Sequence, residues 1–354
     1  MNAYIRGIGN ISPQQTFAKN DFLETVVAYD TNMLSCIDPV YKEFIHPLQL
    51  RRMSRTLRMG VTAAKICLLN SGIEMPDAVI TGTGFGCIDD TEKFLLAMLH
   101  NNEQQLTPTA FMQSTHNTIS GQVAIMLKCK AYNSTYVNRG FSFETALLDS
   151  LMLIEEGNAH KILMGGFDEN SVNLHITTDR LDHWKKEKIN NLQLLESKTP
   201  GTISGEGATF FMLTDKEDEN NYALLKGLST LYKPEDEKEV EHHVSDFLKR
   251  NKLSASDIDL VVYGLNGDVN TDGVYYHLRD NLFSENAGAY FKHLCGDYYT
   301  SSAFALWLSA NAIKKQVVPQ AVRLGREPSG ILKNILIVNH YRDINYSFML
   351  VSQC

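Results

Sequence analysis

Glu144-Thr-Ala-Leu-Leu-Asp-Ser-Leu-Met-Leu-Ile-Glu-Glu-Gly-Asn-Ala-His-Lys-Ile-Leu-Met-Gly-Gly-Phe-Asp168 is the stretch that decides the fold. Residues 144–156 read as a helix. Residues 161–164 read as a strand that runs into Gly165-Gly166. A helix delivering the chain to a buried strand is one step of a layered α/β protein.

The same grammar extends in both directions. Upstream, residues 4–8 read as a strand. Residues 48–72 read as a helix, with Leu50, Met53, Leu57, Val61, Ala64 and Leu68 at helical spacing and Asn70-Ser-Gly72 as the stop. Residues 77–84, Asp-Ala-Val-Ile-Thr-Gly-Thr-Gly, read as a buried strand entering a glycine turn, and 115–127 as a further helix. Downstream, strands are expected at 208–213 and 222–231 around a polar surface loop at 215–221. An amphipathic helix at 237–249, a strand at 259–264, a helix at 301–314 and a strand pair at 332–339 and 345–352 follow. The two sections, 1–215 and 216–354, share this grammar, which points to an internal duplication within one unit.

Composition narrows the function. The 354 residues are 44% hydrophobic and carry a net charge of -8, with no basic stripe to hold phosphates, so a nucleic-acid partner is not expected. The six cysteines are scattered without CxxC spacing, which argues against a zinc site or disulfide framework and for a reducing cytosol. No metal or cofactor is expected. No stretch is long and apolar enough for a membrane span, and no signal peptide is visible. Gly82-Thr-Gly-Phe-Gly86 lacks the third spaced glycine of a dinucleotide fingerprint. No GxSxG elbow and no HExxH is present. His242-His243 reads as a solvated helix face, and His116 as a capping or interface residue. Asp89-Asp90 and Asp168-Glu169 read as turn and cap chemistry, with an acid/base role as the alternative.

Several segments, in order, resemble the β-ketoacyl synthase family of thiolase-fold condensing enzymes. They are Ile5-Arg-Gly-Ile-Gly-Asn-Ile-Ser-Pro13, Arg51-Arg-Met53 with the helix through Ala63-Ala64, Val79-Ile-Thr-Gly-Thr-Gly-Phe-Gly86, Leu163-Met-Gly-Gly-Phe-Asp168 and Ile203-Ser-Gly-Glu-Gly-Ala208. The resemblance implies a duplicated α-β-α-β-α five-layered fold. It also implies a cysteine nucleophile at the tip of a buried helix, where the helix dipole and backbone amides activate it. Two histidines on two later loops, one supported by a lysine, complete the family's site.

Those positions are altered here. Ala146-Leu147 and the glycine pair place the nucleophile position at Gly140, twenty-five residues before Gly165; a one-residue shift gives Phe141. Ser142 would need a two-residue shift. The first histidine position falls on Leu265 or Asn266, within Val262-Tyr-Gly-Leu-Asn-Gly-Asp-Val-Asn-Thr-Asp272. The second falls on Asp297, within Lys292-His-Leu-Cys-Gly-Asp297; Lys292 is retained, and His293 points elsewhere if the loop geometry holds. The last loop, Asn339-His-Tyr-Arg-Asp-Ile-Asn345, keeps both asparagines and loses the family's glycine-rich gate. Without a thiolate there is no acyl-enzyme.

The resemblance therefore implies a non-condensing, chain-length-factor-like subunit. It is similar to small synthase-like proteins of aryl-polyene and flexirubin-type pigment assembly, which act on carrier-bound acyl chains. Implied partners are an acyl carrier protein and a catalytic ketosynthase, or a second copy in a homodimer, with the interface running through 107–122 and 135–143. Phe141 and Phe143 line or plug an acyl pocket, or merely fill space; Asn339 and Asn345 are further substrate-binding candidates. Two alternatives stand beside this reading. One is an acyltransferase or thioester-processing enzyme in which Asp297, Lys292, Glu144 and Asn266 converge. The other is a homodimeric acyl- or carrier-binding module.

Overall fold

The structure is a computed structural model that describes residues 2–17 and 22–354. Its strands are β1 (Ala3–Ile11), β2 (Ala78–Gly82), β3 (Tyr132–Tyr136), β4 (Lys161–Asp168), β5 (Gly207–Thr214), β6 (Ala223–Tyr232), β7 (Leu260–Tyr263), β8 (Ala287–Tyr290), β9 (Arg323–Leu324), β10 (Asn334–Tyr341) and β11 (Asn345–Ser352). Its helices are α1 (Pro47–Leu50), α2 (Arg55–Ser71), α3 (Ile88–His100), α4 (Pro108–Gln113), α5 (Thr118–Leu127), α6 (Ser142–Glu155), α7 (Val172–Asp179), α8 (Glu237–Arg250), α9 (Gly273–Asp280), α10 (Lys292–Cys295) and α11 (Ser302–Lys315).

The strands follow the order β3-β2-β4-β5-β1-β6-β11-β10-β7-β8-β9. Read outward from the β1/β6 seam, each side has the same pattern. Each half's first strand lies at the seam and its last beside it, then its next-to-last, second and third, with β9 added beyond β8. The seam is short, three residue pairs from Ala3↔Leu225 to Ile5↔Ala223. The 215/216 division falls in the loop between β5 and β6.

Strand parity builds the layers. In β2, β4 and β5, Ile80, Met164 and Phe211 enter a central core, whereas Val79, Leu163 and Phe210 face an outer core under α2. In β7, β10 and β11, Val262, Ile337 and Met349 enter the central core, and Val261, Leu336 and Phe348 face a third core under α8 and α9. α6 and α11 fill the centre. Helices outside, the two halves of the sheet, and helices between them make five layers. Strands covered on both faces need apolar residues at every position, which is why Leu-Val-Val-Tyr and Ile-Leu-Ile-Val read as continuous runs.

Three expectations are corrected. The helix expected over 48–72 is broken: α1 stops at Leu50, and α2 starts afresh where the Ser54 hydroxyl accepts from the Leu57 amide. Arg51-Arg-Met53 lies in that break. Gly72, at φ 70°, closes α2 in the left-handed conformation glycine favours. β4 does not end before its glycines but runs through them to Asp168. A side chain on Gly165 would meet the Phe210 ring at 2.6 Å, and one on Gly166 the Phe143 ring at 2.9 Å. Finally, α6 begins at Ser142, two residues earlier than read.

The two ends of the sheet differ. β9 is a two-residue strand, whereas β3 is five residues long and paired only to β2.

Candidate functional site

Gly140 sits in a 3-10 turn, Arg139–Phe141, that leads into α6. Arg139 before it is left-handed, at φ 47°. Ser142 is committed to this turn: its hydroxyl donates to the Arg139 carbonyl (2.7 Å) and accepts from the Asn138 amide (2.9 Å). A hydroxyl held on both sides by backbone is a cap, not a poised nucleophile.

The space in front of Gly140 is taken. A Cβ at this position would stand 2.7 Å from Tyr341 Cβ and 3.0 Å from Cβ and Oδ1 of Asn345. Both belong to the β10–β11 hairpin, whose loop residues Arg342 and Asp343 are left-handed, at φ 58° and 56°. The Tyr341 ring packs on Tyr299 with centroids 4.4 Å apart. The Arg342 guanidinium lies 5.1 Å over the Trp184 ring. A short hairpin with bulky side chains thus seals the helix tip.

Behind the hairpin, residues from three loops meet. Lys292 Nζ forms a buried ion pair with Asp297 (2.9 Å) and donates to the His340 carbonyl (2.9 Å). Asn266 Nδ2 donates to the other Asp297 oxygen (3.2 Å). Burial works against the Asp297 charge, yet the Lys292 ammonium, and then Arg342, hold its carboxyl below the usual carboxylate range. Asp272 braces the Asn266 loop by accepting the Asn266 and Gly267 amides (3.1 and 2.7 Å); burial lifts it to about 7. Leu265 is in the outer core instead. His293 turns away, stacks on Tyr290 and bonds the Ala321 carbonyl. His340 was not singled out from sequence. It stacks on Tyr275 and bonds the Thr271 carbonyl, and burial drives its pKa down to about 3, so it is a neutral packing group.

Glu144, in the first turn of α6, is buried, and neither carboxyl oxygen has a hydrogen bond of good geometry, although the Ser302 and Ser347 hydroxyls lie beside it. Burial raises its pKa. Phe143 is fully buried against Phe211, as core filling, while Phe141 is half-buried at the helix start. Asn339 is buried with Oδ1 unpartnered, and Asn345 stands at Gly140.

Asp168 is a strut. Its carboxyl accepts from Thr83, the Gly84 amide, and both the amide and hydroxyl of Thr300, tying the β2 turn to the start of α11. Burial lifts it to about 6. Glu169 accepts from Thr56 and the Asp89 amide, and burial pushes it to about 7. His116 is exposed, His242 pairs with Asp246, and His243 bonds Ser229.

A narrow cavity of about 40 Å³ adjoins this centre, walled by Asp168, Trp184, Asp297, Tyr299 and Tyr341. That is room for a few waters, an order of magnitude below the ~300–1,000 Å³ of an ordinary ligand pocket.

Residues 31–180 match the family model "Beta-ketoacyl synthase, N-terminal domain". The chain has the thiolase fold. Among solved structures, a β-ketoacyl synthase from Burkholderia phymatum STM815 superposes with a TM-score of 0.79 at 15% identity, covering 100% of this chain and 99% of that one. The ishigamide ketosynthase/chain length factor gives 0.78 at 15% identity with the same coverage. A ketosynthase (ApeO) in complex with its chain length factor (ApeC) from Xenorhabdus doucetiae gives 0.77 at 14%, covering 100% and 98%. No curated protein matches the sequence.

The open edge strand β3 is flanked by α5 and α6, and apolar side chains are exposed on these elements and on α4, which shares a groove with α5. Phe111 and Met112 of α4 are each 58% exposed, and Ile125, Val137 and Met152 are exposed as well. An open strand edge inside an apolar field is a surface built to be covered. No helix among the described residues is long and apolar enough to cross a membrane.

Proposed function

We propose that this chain is a non-condensing subunit of the chain-length-factor type. It pairs with a catalytic ketosynthase and supports elongation of carrier-bound acyl chains in fatty-acid-like or aryl-polyene biosynthesis in the cytosol. The observation that carries the reading is Gly140. At the family's nucleophile position there is neither a sulfur nor space for the carbon that would bear one, because Tyr341 and Asn345 stand there. The second family centre is an ion pair, Lys292–Asp297, with Asn266 alongside, instead of two imidazoles. The cavity beside this centre, about 40 Å³, is too small to hold a long acyl chain. Solved structures of the same fold include a ketosynthase bound to its chain length factor and a type II ketosynthase bound to its acyl-carrier protein. Pairing through β3 covers Phe111, Met112 and Val137, which are exposed in the single chain.

The test is co-expression with a cysteine-bearing ketosynthase from the same operon, read by native mass spectrometry and product length. The expected result is a stable pair, with condensing activity only in the pair. Phe111→Asp with Met112→Asp abolishes the pair without changing the fold of the lone chain. Failure to pair with such a synthase sinks the proposal.

The meeting of Asn266, Asp297 and Lys292 favours a second reading, a thioester-processing enzyme without a covalent intermediate. Thioester hydrolysis or decarboxylation by the lone chain, lost in Asp297→Ala, would establish it instead.

A further inference from the structure

The hairpin that seals Gly140 carries a cation with unused donors. Arg342 Nη1 donates to the His183 carbonyl (3.2 Å). Nε and Nη2 are shielded from solvent and have no hydrogen-bond partner. No carboxylate among the described residues lies within ion-pair distance of this guanidinium; Asp297, which feels its charge, is paired with Lys292. Nε–H and Nη2–H share one edge of the guanidinium plane. That edge is the fork which donates to the two oxygens of a carboxylate side by side. A buried donor left without an acceptor is costly, so two adjacent ones on a charged group call for an occupant.

The surroundings shape that occupant. The guanidinium lies over the Trp184 and Tyr341 rings, at 5.1 and 5.7 Å. Both rings also wall the 40 Å³ cavity. His183, whose carbonyl accepts from Arg342 Nη1, also has an unpartnered Nδ1; burial, and then Arg342, lower its pKa to about 4, so the ring is neutral. The acidic groups that line the cavity are already engaged: Asp297 by Lys292, Asp168 by four donors, and Glu169 by Thr56 and an amide.

We propose that the Nε–Nη2 edge of Arg342, beside His183 and Trp184, is a binding site for a small planar carboxylate. The inference does not rest on pairing with a ketosynthase, and the lone chain suffices to test it. The carboxylate comes either from a free short-chain acid or from the end of a thioester-borne acyl group.

Titrate the purified chain with sodium acetate at constant ionic strength, with sodium chloride as reference, by calorimetry and thermal shift. Repeat with succinyl-pantetheine against uncharged acetyl-pantetheine. Saturable acetate binding, weakened at least tenfold in Arg342→Lys and abolished in Arg342→Gln, supports a free acid. Lysine keeps the charge but loses the fork. Binding of succinyl- but not acetyl-pantetheine, with the same loss in both variants, supports the thioester source. Near-UV circular dichroism confirms that the variants are folded. No binding above the chloride reference, or equal affinity in Arg342→Lys, overturns the site and leaves the two donors to water.

Discussion

Placing a side chain at Gly140, where the resemblance puts a nucleophile, should injure this protein rather than activate it. In Gly140→Ala a methyl carbon must fit 2.7 Å from Tyr341 Cβ and 3.0 Å from Asn345. Neither obstacle is the free end of a flexible side chain: both Cβ atoms are fixed to the strands of the β10–β11 hairpin. The hairpin or the tip of α6 has to move, an overpacking cost of about 1–3 kcal/mol. At roughly 2.1 cal/mol/K of unfolding entropy per residue, 354 residues give about 740 cal/mol/K. The fall in Tm is then about 1–4 °C, resolvable by differential scanning calorimetry. Gly140→Cys carries the same penalty and stays unacylated when incubated with an acyl thioester and followed by intact mass. Tyr341→Gly removes the nearer carbon, so the double variant Gly140→Ala/Tyr341→Gly should be more stable than the sum of the single changes. A Gly140→Ala protein that melts with the wild type, or a Gly140→Cys protein that takes up an acyl group, would refute the steric argument.

Three further outcomes follow from the buried charges and caps. Lys292→Met strands the Asp297 carboxylate in the core and should cost about 3–5 kcal/mol by urea unfolding, whereas Lys292→Met with Asp297→Leu should recover most of it. Glu169, raised to about 7 from 4.5 by burial, holds a proton in the folded state that the unfolded chain releases; stability should therefore rise as pH falls from about 7 toward 4.5. Glu169→Gln should flatten that slope, by an amount on the order of 1–3 kcal/mol, in urea melts at pH 5 and pH 7.5. Ser142→Ala removes the two bonds that fix the turn before α6 and should cost about 0.5–2 kcal/mol, with no effect on pairing to a ketosynthase, seen by thermal melt and native mass spectrometry.

The layers were legible because doubly covered strands must be apolar throughout, as in β7 and β10. β3 was missed for the opposite reason: Tyr-Asn-Ser-Thr-Tyr is polar and lies at an edge, where no second neighbour demands hydrophobicity. α7 was missed because it buries no residue fully and so shows no apolar stripe. The family resemblance, anchored on the spacing of its motifs, singled out Gly140, Lys292 and Asp297. It left Leu265 and Asn266 open, and they part only because successive residues leaving β7 face opposite ways, one into the outer core and one toward Asp297. The packing of Tyr341 on Tyr299 and on Gly140 joins segments far apart in the chain, which local reading does not reach. A hint was present: five non-glycine residues between Asn339 and Asn345, where the resembled family has a glycine-rich gate, leave bulk in place of mobility.

The unequal ends of the sheet limit how far assembly can go. β9, at one end, is too short to template another chain, while β3 offers a full five-residue ladder. A molecule with a single adhesive edge can engage one neighbour and then has nothing left to offer the next. Growth stops at a pair instead of continuing into a fibre, and each chain that joins another copy of itself is withdrawn from the pool open to a different synthase.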